Sequence, residues 1–160
     1  MTTADALYTI KLTVNGHALE AQVPARRTLV DFLRYNLDMT GTKETCSVGV
    51  CGACTVLIDG EIAASCITLV VQADGANITT IEGVADGEEL HPIQQSFIDH
   101  GGFQCGICTS GQIVAAKSLL DSNPSPTEEE VKEWMMGNLC RCTGYYQIME
   151  SIMQAAPKGQ

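Results

Sequence analysis

The sequence predicts an α+β protein of two small domains: a strand-rich N-terminal domain of the β-grasp type and a helical C-terminal domain. Three observations support this prediction. Strand-like alternation dominates the first half, helical periodicity dominates the second, and the eight cysteines divide four and four between the halves. A polar, glycine-bearing segment, 82–89, separates them. We therefore expect a first domain at 1–82 and a second at 83–160.

Two hairpins and one helix are predicted in the first domain. Residues 8–14 alternate between apolar and polar types, which is typical of a strand with one buried face, and Tyr8 belongs to that face. Asn15-Gly16 is a strong signal for a type I′ turn, and Asp59-Gly60 indicates a second hairpin. Thr28 is a favourable N-cap for the intervening helix. Strands with one embedded helix favour the β-grasp arrangement.

Four short helices are predicted in the second domain, and together they imply a helix bundle. Pro92 suits the first turn of the first helix, and Ser110 is expected to cap the second. Thr127 and Glu130 form a capping box for the third. The fourth is expected to end before Pro157.

The composition excludes several classes of function. Nine Lys and Arg against nineteen Asp and Glu leave a net charge of −10, which argues against binding to nucleic acid or to an anionic membrane. No apolar run reaches the roughly 20 residues of a membrane span, and the first ten residues lack a secretory signal. We therefore expect a cytoplasmic protein. Thiols stay reduced there, so metal binding explains the cysteines better than disulfides do.

The first cysteine set is spaced C-x4-C-x2-C-x11-C, and its first three members match plant-type [2Fe–2S] spacing. Such a core has two irons that each need two thiolates, so one loop must wrap it and a distant residue must complete it. Gly49 and Gly52 lie in that loop and let backbone amides turn toward the cluster sulfurs. A four-cysteine zinc site is the alternative, although zinc ribbons usually present two separate C-x2-C pairs. The set comprises Cys46, Cys51, Cys54 and Cys66.

The second cysteine set joins a C-x2-C pair to a C-x-C pair across 31 residues. The first pair precedes a predicted helix, where free backbone amides favour thiolates. Spacing alone leaves three interpretations open: a second cluster, a zinc site, or a redox-active dithiol. The set comprises Cys105, Cys108, Cys140 and Cys142.

Three motifs resemble the small iron–sulfur subunit of the xanthine dehydrogenase family, also called the molybdenum hydroxylases. They are Lys43–Val56, Gln104–Gly111 and Gly137–Tyr145, and they occur in the family's order. The resemblance covers about residues 7–156. It implies two [2Fe–2S] clusters, one in a plant-ferredoxin-like β-grasp domain and one in a C-terminal four-helix-bundle domain.

The resemblance also implies roles for the individual cysteines. It assigns the first set to a cluster nearer flavin and the second set to a cluster nearer molybdenum. Gln104 and Cys142 match the family positions that lie against the pterin of the molybdenum cofactor. The chain departs from the family at Ser110, where proline is usual, and at Thr45, where glycine is common. We expect neither difference to remove a ligand.

The function implied by the resemblance is electron transfer within a larger oxidoreductase. Electrons would pass from a molybdopterin site through two [2Fe–2S] clusters to FAD or an external acceptor. The implied partners are a large molybdopterin-binding subunit and a medium FAD-binding subunit, assembled as a dimer of heterotrimers. No complete active site is expected in this chain. The alternatives are a free two-cluster electron carrier and a zinc-stapled interaction module.

Overall fold

The computed structural model describes residues 6–156, which form one five-stranded sheet and five helices. The strands are β1 (Leu7–Val14), β2 (His17–Pro24), β3 (Thr55–Ile58), β4 (Glu61–Ala64) and β5 (Asn77–Thr79). The helices are α1 (Leu29–Asp31), α2 (Pro92–Asp99), α3 (Thr109–Ser122), α4 (Glu128–Met135) and α5 (Tyr146–Ala155). The predicted α+β class is confirmed.

The sheet has the strand order β2-β1-β5-β3-β4. β1 pairs antiparallel with β2 and parallel with β5, whereas β3 pairs antiparallel with both β4 and β5. Asn15 and Gly16 have φ of 49° and 81°, and Asp59 and Gly60 have φ of 51° and 91°. Positive φ at both central residues is the type I′ geometry, so both predicted hairpins are present.

One face of the sheet packs on α1 and forms the core of the first domain. The buried face of β1 begins at Ile10, because Tyr8, which we expected on that face, is 48 % exposed near the start of the strand. Thr28 caps α1 as predicted, and its hydroxyl accepts a hydrogen bond from Asp31 N at 3.2 Å. The helix then widens into a π-helical turn, Phe32–Asn36, which the sequence did not predict.

β3 contributes to two hydrophobic cores. Val56 is fully buried in the core under α1, whereas the next residue, Leu57, joins the core of the helical half with Phe97 and Ile152. Successive side chains of a strand point to opposite faces, so one strand serves both halves. The boundary expected between residues 82 and 83 stays a prediction.

Two of the four helices of the second half begin where local capping signals place them. Pro92 opens α2, and the Thr127–Glu130 capping box opens α4. The expected cap at Ser110 is wrong. α3 already begins at Thr109, so the Ser110 hydroxyl lies in its first turn and has no hydrogen-bond partner there. α5 ends at Ala155, before Pro157 as predicted, although Pro157 itself lies outside the described residues.

None of the helices within residues 6–156 combines the length and the apolar character needed to cross a membrane.

Candidate metal centres

The fold brings the first cysteine set together as two pairs. Cys46 and Cys51 interact at the outer side of the long loop before β3, and both are partly exposed. Cys54 lies at the end of that loop and meets Cys66, which follows β4; these two thiols are 2 % and 6 % exposed. The pairing places one end of the site near solvent and the other inside the protein.

Several backbone amides donate to Cys46 of the outer pair. Amide hydrogen bonds lower the pKa of the Cys46 thiol to about 6, with a smaller contribution from the neighbouring Cys51 thiol. A lowered thiol pKa makes the thiolate, which is the form that binds metal, available near neutral pH. The donating amides are those of Val48, Cys51 and Val50.

In the inner pair, burial has the largest effect on the pKa of Cys66. Burial and then the neighbouring Cys54 raise the pKa of Cys66 to about 12, although the Gly49 amide donates to its sulfur and opposes the shift. Gly49 has φ of 76°, so the turn that aims this amide uses a conformation that favours glycine. The Gly49 amide therefore reaches a sulfur of the first set, and its role beside a bound cluster stays a prediction.

The second cysteine set also forms two pairs. Cys105 and Cys142 are exposed, and their sulfurs lie 3.5 Å apart. Cys108 caps α3 and meets the buried Cys140 on the inner side. Burial and then Cys140 raise the pKa of Cys108 to about 12. All eight thiols are free.

Cys140 receives hydrogen bonds from the turn that follows it. Burial favours its neutral form, but the Thr143 side chain and the backbone amides of this turn outweigh that effect, so the pKa of Cys140 is lowered. The Thr143 amide lies 3.5 Å from the sulfur. The Cys140 amide in turn donates to the Tyr145 hydroxyl at 3.0 Å. Residues 140–145 are therefore a hydrogen-bonded unit around one candidate ligand.

The donor geometry fits two-iron cores better than single zinc ions. Zinc bound by four cysteines needs four sulfurs arranged tetrahedrally around one ion. Each set instead presents two pairs, as two irons with two thiolates each would require.

A direct hydrogen bond joins the two ligand regions. The Leu139 amide donates to the Cys51 carbonyl at 2.8 Å. Leu139 immediately precedes Cys140, so this bond connects a residue of the first cysteine set to the neighbour of a residue of the second.

Asn138 fixes this connection through buried polar contacts. Its side-chain amide donates to the Gly52 carbonyl at 3.0 Å and to Thr55 Oγ1 at 3.1 Å. Its own carbonyl accepts from Gln112 Nε2 at 2.7 Å. Asn138 is 4 % exposed and Gln112 is fully buried, so loss of a partner here would leave polar atoms without water.

Gly52 has a second role that sequence reasoning missed. Its φ is 70°, and a Cβ atom there would meet the Gly137 carbonyl and the Asn138 side chain. Gly111 of α3 packs directly on the Gly52 carbonyl. Gly52 therefore permits the close approach of the two halves as well as the turn of the loop.

Gln104, the remaining predicted cofactor residue, is exposed and adjoins Cys105. Gln104 and Cys142 thus belong to the same exposed end of the molecule, since Cys142 contacts Cys105. Contact of both residues with a pterin stays a prediction.

Comparison with known proteins matches each half of the chain to an iron–sulfur domain family. Residues 7–98 match the family model for a 2Fe-2S iron-sulfur cluster binding domain, and residues 80–153 match that for a [2Fe-2S] binding domain. The chain is 50 % identical over 146 residues to the nicotine 6-hydroxylase small subunit of Paenarthrobacter nicotinovorans, covering 91 % of this chain and 88 % of that protein. It is 45 % identical over 150 residues to the nicotinate dehydrogenase small FeS subunit of Eubacterium barkeri, covering 94 % and 96 %.

Solved structures agree with this result. The fold matches quinoline 2-oxidoreductase from Pseudomonas putida 86 with a TM-score of 0.91 and 48 % identity, covering 94 % of each chain. It matches aldehyde oxidoreductase from Desulfovibrio gigas with a TM-score of 0.89 and 47 % identity, covering 93 % of this chain but 17 % of that one.

The fold and the paired thiols thus define a two-domain [2Fe–2S] protein. The chain belongs to the family of small iron–sulfur subunits of molybdenum-dependent hydroxylases and dehydrogenases. It is a subunit of an oxidoreductase.

Proposed function

We propose that this chain carries electrons from a molybdenum-containing partner to a flavin or an external acceptor. Its first cysteine set would hold one [2Fe–2S] cluster and its second set another. Each cluster, when bound, takes up and releases one electron at a time. The observation that carries the proposal is the pairing of all eight thiols in two sets that are linked by the Leu139–Cys51 hydrogen bond.

The proposed direction follows the family resemblance, and the more exposed thiol pair of each set supports it. The Cys105–Cys142 end would face the molybdenum cofactor, with Gln104 beside it. The Cys46–Cys51 end would face flavin or the external acceptor. The protein therefore has one partner-facing end in each half.

Exposed apolar side chains accompany both ends, as expected for surfaces that partners cover. Val48 and Val50, in the loop of the first set, are 65 % and 61 % exposed. Near the second set, Phe103, Ile107 and Leu139 are between 42 % and 47 % exposed. These residues support docking at both ends.

The proposed assembly contains a large molybdopterin-binding subunit and a medium FAD-binding subunit, arranged as a dimer of heterotrimers. Its location would be cytoplasmic, which the eight free thiols support. The substrate would be chosen by the large subunit.

Metal analysis of the chain co-expressed with its partner subunits tests the proposal. We expect about four iron and about four inorganic sulfide per chain, with two distinct EPR signals after reduction. Zinc without iron would establish the zinc-stapled module instead. A chain that carries both clusters but is isolated as a stable monomer would favour the free electron carrier.

A further inference from the structure

The Thr143 hydroxyl lies between a backbone amide and a cysteine sulfur. The Tyr145 amide donates to Thr143 Oγ1 at 3.1 Å, and Thr143 Oγ1 lies 3.3 Å from Cys140 Sγ. A backbone amide can only donate, so the hydroxyl oxygen acts as acceptor toward Tyr145. The hydroxyl proton is then free to point at the sulfur. With a cluster bound, the Cys140 thiolate would have no proton to offer, so Thr143 would be the donor.

This contact is protected from solvent. Thr143 is 7 % exposed and Cys140 is 9 % exposed, so water competes little for either group. The Thr143 amide reaches the same sulfur at 3.5 Å. Hydrogen bonds to a charged acceptor in such surroundings are stronger than those between neutral groups in water.

Tyr145 holds the hydroxyl in place from the other side. Its φ is 71°, an uncommon conformation for a residue with a side chain, and its hydroxyl accepts the Cys140 amide at 3.0 Å. Tyr145 therefore contacts the backbone of Cys140 and the side chain of Thr143 together. A conformation of this kind persists where its surroundings determine it.

Hydroxyl donation to sulfur distinguishes the two cysteine sets. Within the described residues, Cys140 Sγ is the one cysteine sulfur with a serine or threonine hydroxyl as hydrogen-bond partner. The amide donors to Cys46 and Cys66 in the first set belong to the backbone. A side-chain substitution can thus change the second set alone.

We infer that Thr143 is a positioning residue that raises the reduction potential of the cluster on the second cysteine set through its hydroxyl bond to Cys140. The inference rests on the proposed function. One-electron reduction adds negative charge that the sulfur ligands share, so a donor to sulfur stabilises the reduced form more than the oxidised form.

An EPR-monitored redox titration of the full chain, co-expressed with its partner subunits, tests this role. Thr143→Val replaces the hydroxyl with a methyl group of similar volume. We expect the reduced-to-oxidised ratio of the second cluster at a fixed potential to fall roughly tenfold, which is about 59 mV for one electron. The midpoint of the first cluster should not move.

Two further variants serve as controls. Thr143→Ser keeps the hydroxyl and should restore the midpoint. Thr42→Val removes another buried threonine hydroxyl, one for which the described structure shows no hydrogen-bond partner, and should change neither midpoint. If the Thr143→Val variant does not assemble, the midpoint of the second cluster can be compared between Thr143→Ala and Thr143→Ser instead.

The inference fails if the second midpoint is unchanged without the hydroxyl, or if the serine variant shifts as far as the valine variant. Failure of the proposed function looks different, because the wild-type complex itself would then lack two cluster signals.

Discussion

At the scale of single residues, the carbonyl of Gly52 is the point where the two halves meet. It accepts hydrogen bonds from the Asn138 side chain at 3.0 Å and from the Thr55 hydroxyl at 2.7 Å. The Thr55 amide donates to it as well, at 3.1 Å. Since the neighbouring residue Cys51 is a candidate ligand, a displacement of Gly52 would move a sulfur.

Gly52→Ala should therefore destabilise the protein more than an alanine at another glycine with positive φ. Gly60→Ala is the matched control, because Gly60 has φ of 91° with open space around it. The control should lose about 1–2 kcal/mol from the backbone conformation alone. Gly52→Ala should lose about 1–3 kcal/mol more, because its Cβ meets the Gly137 carbonyl and Asn138.

The free energy of unfolding, measured by anaerobic denaturant titration of both variants and the wild type, checks this expectation. Equal losses for the two variants would contradict the close approach at Gly52.

Residues whose role depends on local spacing could be identified from the sequence, whereas those at the interface could not. The eight cysteines occur in recognisable motifs, and Gly49 lies between two of them. Asn138 binds Gly52 across 86 positions of sequence, and no periodic or spacing signal links the two. Such a contact depends on how two cores pack, which a single sequence does not display.

At the scale of elements, predictions from local turn and capping signals are correct, whereas the prediction at a site of long-range packing is wrong. Asn15-Gly16 and Asp59-Gly60 fix their hairpins through turn chemistry that acts over two residues. The Thr127 capping box is equally local. The start of α3 is different: Gly111 packs on the Gly52 loop, and Cys108 rather than Ser110 is the capping residue. Long-range packing there overrides a local preference.

We expect the N-terminus of α2 to make stability depend on pH. His91 caps the helix, and its Nδ1 accepts from the Ile93 amide at 3.3 Å, which requires an unprotonated nitrogen. Burial, and then the charge of Lys117, lower the pKa of His91 below its usual 6.5. The unfolded chain thus binds a proton at this residue more readily than the folded chain.

Stability should consequently be full above about pH 6.5 and fall as the pH drops toward the lower pKa of the folded state. His91→Asn keeps a capping acceptor that does not titrate, so it should weaken this dependence. Denaturant unfolding at about pH 7.5 and about pH 5.5 measures the difference. His17→Asn, at an exposed histidine in β2, is the control, and an equal effect of both substitutions would refute the assignment.

At the scale of the whole molecule, the two metal centres occupy separate parts of a connected structure. Each has a more exposed thiol pair and an inner pair, and the Leu139–Cys51 hydrogen bond lies between the sets. The halves share contacts, but no cysteine of one set is paired with a cysteine of the other. Loss of one cysteine ligand should therefore affect only the cluster of its own set.

Cys142→Ser tests that independence in the intact complex. We expect the EPR signal of the second cluster to be lost or altered while that of the first persists, with iron falling toward about two per chain. Cys51→Ser should have the converse effect. If Cys142→Ser abolishes both signals, assembly of the two centres is coupled.

The burial of β3 on both faces also has a consequence for folding during synthesis. Synthesis proceeds from the N-terminus, so β3 leaves the ribosome before any of the helices α2 to α5. Leu57 then lies on an open face of the sheet until α3, which packs against β3, has been synthesised. A nascent chain that stops before α3 would therefore leave the Leu57 side chain of β3 exposed to water and to chaperones.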